Sequence, residues 1–108
     1  MAELVIVCWR DIPAQVIAKA GRRTAKRQLS ERFETAIDRA AMRVGLRDSD
    51  AYLGEWRRVA AGPCGDDLEA AAGERAAALE EQYTDQRLQA LVASGGVDPD
   101  TQADTGTA

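Results

Sequence analysis

Two apolar runs separated by a short polar break make up the first twenty residues. Residues 3–10 are almost uninterrupted by polar side chains, which is typical of a strand that is buried on both faces or lies centrally in a sheet. Asp11-Ile12-Pro13 predicts the end of that strand, because proline cannot donate to the hydrogen-bond ladder. Residues 14–20 form a second apolar run that ends at Gly21. The short connection predicts an antiparallel hairpin.

A helical pattern follows between residues 30 and 45. Ser30 is predicted to be the N-cap, and the carboxylates of Glu31 and Glu34 complement the helix dipole in the first turns. One apolar stripe then recurs at helical spacing and comprises Phe33, Ile37, Ala40, Ala41 and Val44. Residues 24–29 can extend the second strand or form a loop, and their periodicity leaves both readings open.

The second half of the chain predicts a short helical turn at residues 48–53. Residues 55–60 then form either a third strand or the end of that helix, and we favour the strand. Residues 62–65 contain the glycine and proline of a loop. From Asp66 or Asp67, an alanine- and glutamate-rich helix runs to about Ser94, with a predicted break near Thr84-Asp85 and an end at the two glycines 95 and 96.

These elements predict an α/β fold of the α+β type. We expect a two-layer sandwich in which a small, mainly antiparallel sheet of two to four strands has helices on one face. A chain of 108 residues with 45% hydrophobic and 30% charged side chains suits one globular domain, which we place at residues 1–95. Residues 96–108 contain three aspartates and few apolar groups, and we predict a disordered acidic tail.

Composition excludes much catalytic chemistry. The chain has no histidine, which removes the commonest general base and metal ligand. Cys8 and Cys64 are its only cysteines, and no other soft ligand is present to complete a zinc site with them. Two unpaired thiols, no apolar run long enough to span a bilayer and no export signal predict a cytoplasmic protein without membrane contact. We expect no metal, no cofactor and no enzymatic activity.

Charge is distributed unevenly along the chain. Residues 1–60 hold twelve Lys and Arg against eight Asp and Glu, whereas residues 61–108 hold two against ten. The densest basic segment is residues 19–27, whose candidate contacts to nucleic acid are Arg22, Arg23, Lys26 and Arg27. The alternative is a solvated hairpin whose cations prevent edge-to-edge pairing, and no aromatic residue is interleaved with them for base stacking.

Trp9 and Trp56 supply much of the aromatic area in a chain with five aromatic residues. Each is either a core side chain or, beside an arginine such as Arg10, the anchor of a protein interface, where Trp and Arg are enriched. Arg10 and Asp11 also suggest a catalytic pair, but neighbouring strand residues point to opposite faces, which favours a structural role in the turn.

Residues 9–16, which read WRDIPAQV, resemble a small bacterial domain family labelled "virulence factor", and so do residues 25–29, 32–42 and 52–58. The resemblance covers about residues 3–92 and is to the free-standing alphaproteobacterial form of the family. It implies no reaction, cofactor or catalytic residue. It does imply an accessory role in folate- and corrinoid-dependent one-carbon metabolism.

We therefore expect a non-enzymatic accessory or adaptor protein that binds another protein, with nucleic-acid binding through residues 19–27 as the alternative. The residues predicted to contact a partner are Trp9, Arg10, Arg22, Arg23, Lys26, Arg27 and Trp56.

Overall fold

One four-stranded antiparallel sheet organises the described part of the chain. The computed structural model describes residues 2–46 and 50–97. In these residues the strands β1 (Glu3–Trp9), β2 (Ile12–Ala20), β3 (Arg23–Gln28) and β4 (Trp56–Pro63) lie in the order β3-β2-β1-β4. The helices are α1 (Glu31–Arg43), α2 (Asp50–Gly54), α3 (Leu68–Gln82) and α4 (Asp85–Ala93). The predicted hairpin is confirmed as β1–β2, and the strand favoured for residues 55–60 is confirmed as β4. Residues 24–29 were expected to extend the second strand or form a loop, but most of them lie in the separate strand β3.

The predicted break between the two strands is confirmed at Arg10 and Asp11. Its predicted extent to Pro13 is wrong, because β2 begins at Ile12 and includes the proline. The register between β1 and β2 shifts at this point: Val7 lies opposite Gln15, whereas Cys8 lies opposite Pro13. The extra residue in β2 forms a bulge, and bulges are positions at which a sheet accommodates a residue without an N–H donor.

The core lies between one face of the sheet and the helices. Its largest fully buried side chains include Trp9, Ile12 and Val16 from the sheet, Phe33 from α1 and Leu91 from α4. Helix α3 packs against β2 and β3, while α1 packs against β2 and α4. Burying five such side chains contributes roughly 1.5–3 kcal/mol each to folding, so the helical layer supplies much of the stability.

The opposite face of the sheet is outside this core. Val5, Cys8 and Ile17 are shielded from solvent, yet none belongs to the cluster that contains the helices. Lys26 lies directly across from Ile17, and long side chains of this type cover apolar neighbours with their aliphatic stems. The two-layer arrangement with helices on one face is thus confirmed.

Helices α1 and α3 are joined by a polar contact at the start of α1. Ser30 has the backbone conformation of an N-cap, but its side chain makes no cap hydrogen bond. Its backbone N donates to Glu80 Oε2 at 2.7 Å and its hydroxyl donates to Oε1 at 2.8 Å. Burial raises the pKa of Glu80, but these bonds and the nearby Arg32 guanidinium outweigh it, so the pKa lies below its ordinary value.

The predicted break in the last helix is confirmed by Thr84, whose hydroxyl accepts from Arg87 N at 3.2 Å and caps α4. At the other end of α4, the fold continues beyond the predicted boundary at residue 95, because the Gly96 carbonyl accepts from Asp11 N at 2.8 Å. The predicted disordered tail lies otherwise outside the described residues. Val44 was predicted to join the buried stripe of α1 but is 39% exposed, because the helix ends at Arg43.

Candidate functional site

The turn between β1 and β2 is held by backbone hydrogen bonds to two other parts of the fold. Arg10 adopts a φ of 52°, a left-handed conformation that a side chain makes unfavourable. The turn is compensated by backbone bonds from Arg10 N to Glu55 O at 3.1 Å and from Asp11 N to Gly96 O. The two residues therefore tie the start of β4 and the end of α4 to the sheet.

Trp9 is part of the core and is 0% exposed. Its indole Nε1 donates to the Tyr52 carbonyl at 2.9 Å, and its ring stacks on the Tyr52 ring at a centroid distance of 5.6 Å. A ring so completely buried is not presented to a partner. Trp9 thus acts through the fold, in contrast to the predicted surface anchor.

The charged side chains beside this turn are paired with each other. Arg10 contacts Glu55 at 3.4 Å and donates to the Gly95 carbonyl at 2.9 Å, while Arg57 forms an ion pair with Asp11. These four charged side chains and Val97 line a shallow cleft of about 370 Å³. Because its opposite charges already neutralise each other, the cleft resembles a structural ion-pair network more than a poised acid–base pair.

The basic segment is divided among three surfaces. Arg22 and Arg23 are exposed at the turn between β2 and β3. Lys26 lies across from Ile17 on the sheet face without helices, whereas the Arg27 guanidinium lies against Gly73 of α3 on the other face. Strand alternation separates neighbouring side chains in this way. The four cations therefore do not form one continuous patch.

Trp56 occupies a different position from Trp9, although the two residues pair across β1 and β4. Trp56 is half-buried, and its ring meets the Tyr52 ring edge to face, with centroids 6.2 Å apart and planes at 87°. The neighbouring Leu53 is 66% exposed, the most exposed large apolar side chain in residues 2–46 and 50–97. Aromatic and aliphatic groups are thus available to solvent at the start of β4.

A cleft of about 430 Å³ opens between these aromatic side chains and α1. It is lined by Ala14, Gln28, Glu31, Glu34, Thr35, Ile37, Asp38, Tyr52 and Trp56. Its volume lies within the range of small-molecule and side-chain pockets. One wall is aromatic and the other carries three carboxylates.

The carboxylates share one side of α1 because Glu34 follows Glu31 by three residues and Asp38 follows Glu34 by four. Within the described ranges, Glu31 and Glu34 have no ion-pair partner. Both side chains are exposed, so their carboxylates are accessible to a ligand. This spacing is visible in the sequence, but it indicated only that Glu31 and Glu34 complement the dipole of the helix. Nothing in the sequence placed Trp56 opposite them.

A groove of about 480 Å³ between α1 and α4 is slightly larger but differs in chemistry. Arg32 on its edge is already engaged, since it donates to the backbone carbonyls of Glu80 and Tyr83 and pairs with Asp85. No aromatic side chain lines this groove. It therefore lacks the aromatic wall that distinguishes the cleft at Trp56.

Other reactive groups do not converge. In residues 2–46 and 50–97, no three His, Cys, Asp or Glu side chains lie together in a way that could hold a metal ion. Burial raises the pKa of the Cys8 thiol to about 11, although Arg57 opposes the shift. Cys8 is therefore protonated and weakly nucleophilic at neutral pH. Each helix in the described part is too short or too polar to cross a membrane.

Comparison with known proteins identifies a family. The model of the family described as "Virulence factor" matches residues 7–92, which is most of the chain. No curated protein and no solved structure matches it significantly. The chain therefore belongs to the Virulence factor family.

Proposed function

We propose that this member of the Virulence factor family is a non-enzymatic, cytoplasmic accessory protein that binds another protein through the cleft at Trp56. The observation that carries this proposal is the half-buried Trp56, which contacts Tyr52 in an open cleft. Tryptophan and tyrosine are enriched among residues that dominate interface energetics, particularly in partly enclosed pockets. Exposed Leu53 directly follows Tyr52 in α2.

The state of the polar groups supports a non-enzymatic role. Arg10 and Asp11, the pair that suggested catalysis, are both held in the turn by ion pairs and backbone bonds. Catalytic groups are usually recognised by a perturbed pKa in a cleft. The buried Cys8 has a raised pKa, which is the opposite of what a nucleophilic thiol requires.

The partner that we propose to examine first is an enzyme of folate- and corrinoid-dependent methyl transfer. This choice follows from what the resemblance to the free-standing alphaproteobacterial form implies. A cytoplasmic location agrees with such a partner, and the free thiols of Cys8 and Cys64 support it.

The test compares two matched surface variants in the native host. Leu53→Asp places a charge on α2, one residue from Tyr52 of the cleft, whereas Met42→Asp places the same charge at the end of α1, where the side chain is 55% exposed. Circular dichroism first establishes that both variants fold. We expect the tagged wild-type chain and Met42→Asp to recover one partner in stoichiometric amount, and Leu53→Asp to lose it. Recovery of no partner by a monomeric wild-type chain, or equal recovery by both variants, would refute the proposal.

Nucleic-acid binding is the second candidate, and the exposed arginines of the β2–β3 turn favour it. Arg22 and Arg23 make no ion pair within the part of the chain that the structure describes. Phosphate contacts produce affinity that falls steeply with salt. Filter binding of duplex and single-stranded DNA at low salt, with Arg22→Glu/Arg23→Glu as the variant, tests this candidate. An affinity that the double substitution leaves unchanged would exclude it.

A further inference from the structure

We infer that the Trp56 cleft binds an arginine side chain of a partner protein. This inference rests on the proposed function and adds the chemistry of the group that enters the cleft. It follows from the combination of an aromatic wall, an anionic wall and a volume of about 430 Å³.

The aromatic wall favours a cation. Trp56 lines the cleft and is half-buried, and its ring meets the Tyr52 ring at 87°, while the Tyr52 ring itself stacks on the buried Trp9. The negative face of an aromatic ring attracts a cation within about 6 Å, and tryptophan is the strongest of the aromatic side chains in this respect. Within the same protein, Arg87 already lies over the Tyr83 ring at 4.3 Å, which illustrates the geometry.

The anionic wall points to the same ligand. Glu31 and Glu34 line the cleft and lack a cationic partner among residues 2–46 and 50–97. Both side chains are exposed on one side of α1, next to the wall that Trp56 forms. A ligand that carries positive charge would therefore meet two accessible carboxylates beside an aromatic ring.

Arginine fits the two walls better than a metal ion or lysine. The carboxylates do not form a group of three that could hold a metal in the described part of the chain. A guanidinium group is planar, stacks on aromatic rings and donates in a fixed fork to a carboxylate. Lysine supplies a compact charge without the planar surface. The combination of rings and carboxylates thus selects the guanidinium.

The occupant that we propose is an arginine of another protein, and a second copy of this chain is an outcome of the test. Arg22 and Arg23 lie at one end of β2 and β3, whereas Ala14 and Gln28 of the cleft lie at the other. A second copy that placed these arginines in the cleft would make the chain self-associate, which sedimentation detects.

The experiment uses the full chain labelled with ¹⁵N and two short peptides. Acetyl-Gly-Arg-Gly-amide carries the cation, and the same peptide with citrulline has nearly the same shape without the charge. The indole N–H resonances of Trp56 and Trp9 are separated with a Trp56→Phe variant. We expect the arginine peptide to shift the Trp56 resonance in a saturable manner, with at least tenfold weaker binding of the citrulline peptide and no shift of Trp9.

Matched glutamate variants test the anionic wall. Glu34→Gln keeps the size of the side chain and is expected to weaken binding of the arginine peptide at least threefold. Glu69→Gln, on the exposed side of α3, is expected to leave binding unchanged. Added salt should weaken binding of the arginine peptide and leave binding of the citrulline peptide unchanged.

Four outcomes would overturn the inference: no response to the arginine peptide, equal responses to both peptides, equal effects of the two glutamate variants, or sedimentation that shows the chain assembling through Arg22 and Arg23. The first three leave the proposed function intact if Leu53→Asp still loses a protein partner that Met42→Asp retains. Failure of that separate comparison would remove the proposed function itself.

Discussion

Gly96 is predicted to be one of the least replaceable residues of the fold, although it belongs to no helix or strand. It adopts a φ of +92°, and a Cβ at this position would lie 2.9 Å from Trp9 Cζ3 and 3.4 Å from Arg10 Cβ. Its carbonyl also accepts from Asp11 N. Gly96→Ala therefore strains the backbone and presses on a tryptophan that is fully buried.

The size of the effect follows from these two contributions. A left-handed conformation costs a residue with a Cβ about 1–2 kcal/mol, and forcing an extra methyl group into a packed core costs about 1–3 kcal/mol. Gly96→Ala should thus lower the free energy of unfolding by about 2–5 kcal/mol. Gly21→Ala is the matched control, because its φ is +61° and its added Cβ would contact nothing within 4 Å. The control should lose about 1 kcal/mol.

Urea unfolding followed by far-ultraviolet circular dichroism measures both variants against the wild-type chain. The difference between them isolates the contact with Trp9 from the backbone strain that both share. If Gly96→Ala is within about 0.5 kcal/mol of Gly21→Ala, the close packing of residues 95 and 96 on the β1–β2 turn does not contribute as the structure indicates.

Three further predictions concern other parts of the molecule. Gly73→Ala should raise the free energy of unfolding by about 0.5 kcal/mol in urea, because alanine favours a helix such as α3 by up to about 1 kcal/mol over glycine. The new Cβ would lie 3.2 Å from the exposed Arg27 guanidinium, which can move aside. A lower free energy of unfolding would show that this arginine is fixed. The pKa of Glu80 is lowered in the fold. Its contribution to the free energy of unfolding is therefore fully present above the unfolded pKa of about 4.3 and is lost as pH falls through the folded pKa. Glu80→Gln should therefore reduce the loss of stability on acidification, measured as the free energy of unfolding against pH. An unchanged pH dependence would contradict the hydrogen bonds between Ser30 and Glu80. Iodoacetamide should alkylate Cys64 of the folded chain faster than Cys8 at pH 8, since the Cys8 thiol is buried with a pKa of about 11. Equal alkylation rates by mass spectrometry would show that local unfolding readily exposes Cys8.

Local patterns were sufficient for most of the fold. The apolar run of β1, the helical stripe of α1 and the capping residue Thr84 each act within a few residues, and all three appear where they were predicted. Pro13 was misplaced because its tolerance depends on a bulge, which is created by pairing with Cys8 and not by neighbours in sequence. Val44 was misplaced because a helix end is set by competition between residues and by the chain beyond it.

The candidate site was much less accessible from the sequence. Trp9 and Trp56 looked equivalent there, but one is fully buried and the other half-buried, because only Trp9 lies beneath the end of α4 at Gly96. The cleft combines residues of α1 with Tyr52 and Trp56, and no spacing rule predicts that these segments meet. The basic segment looked continuous along the chain, whereas strand alternation divides it between the faces of the sheet.

Photo-crosslinking of the full chain in its native host tests most directly whether the Trp56 cleft binds another protein. Benzoylphenylalanine is placed at Leu53 or, as the control, at Met42. Both positions are exposed, so both probes can react with any neighbouring molecule. We expect the probe at Leu53 to capture a protein segment that contains arginine, as mapped by mass spectrometry, and we expect the probe at Met42 not to capture it. Capture of nucleic acid alone, of the same products from both positions, or of nothing at Leu53 would contradict it.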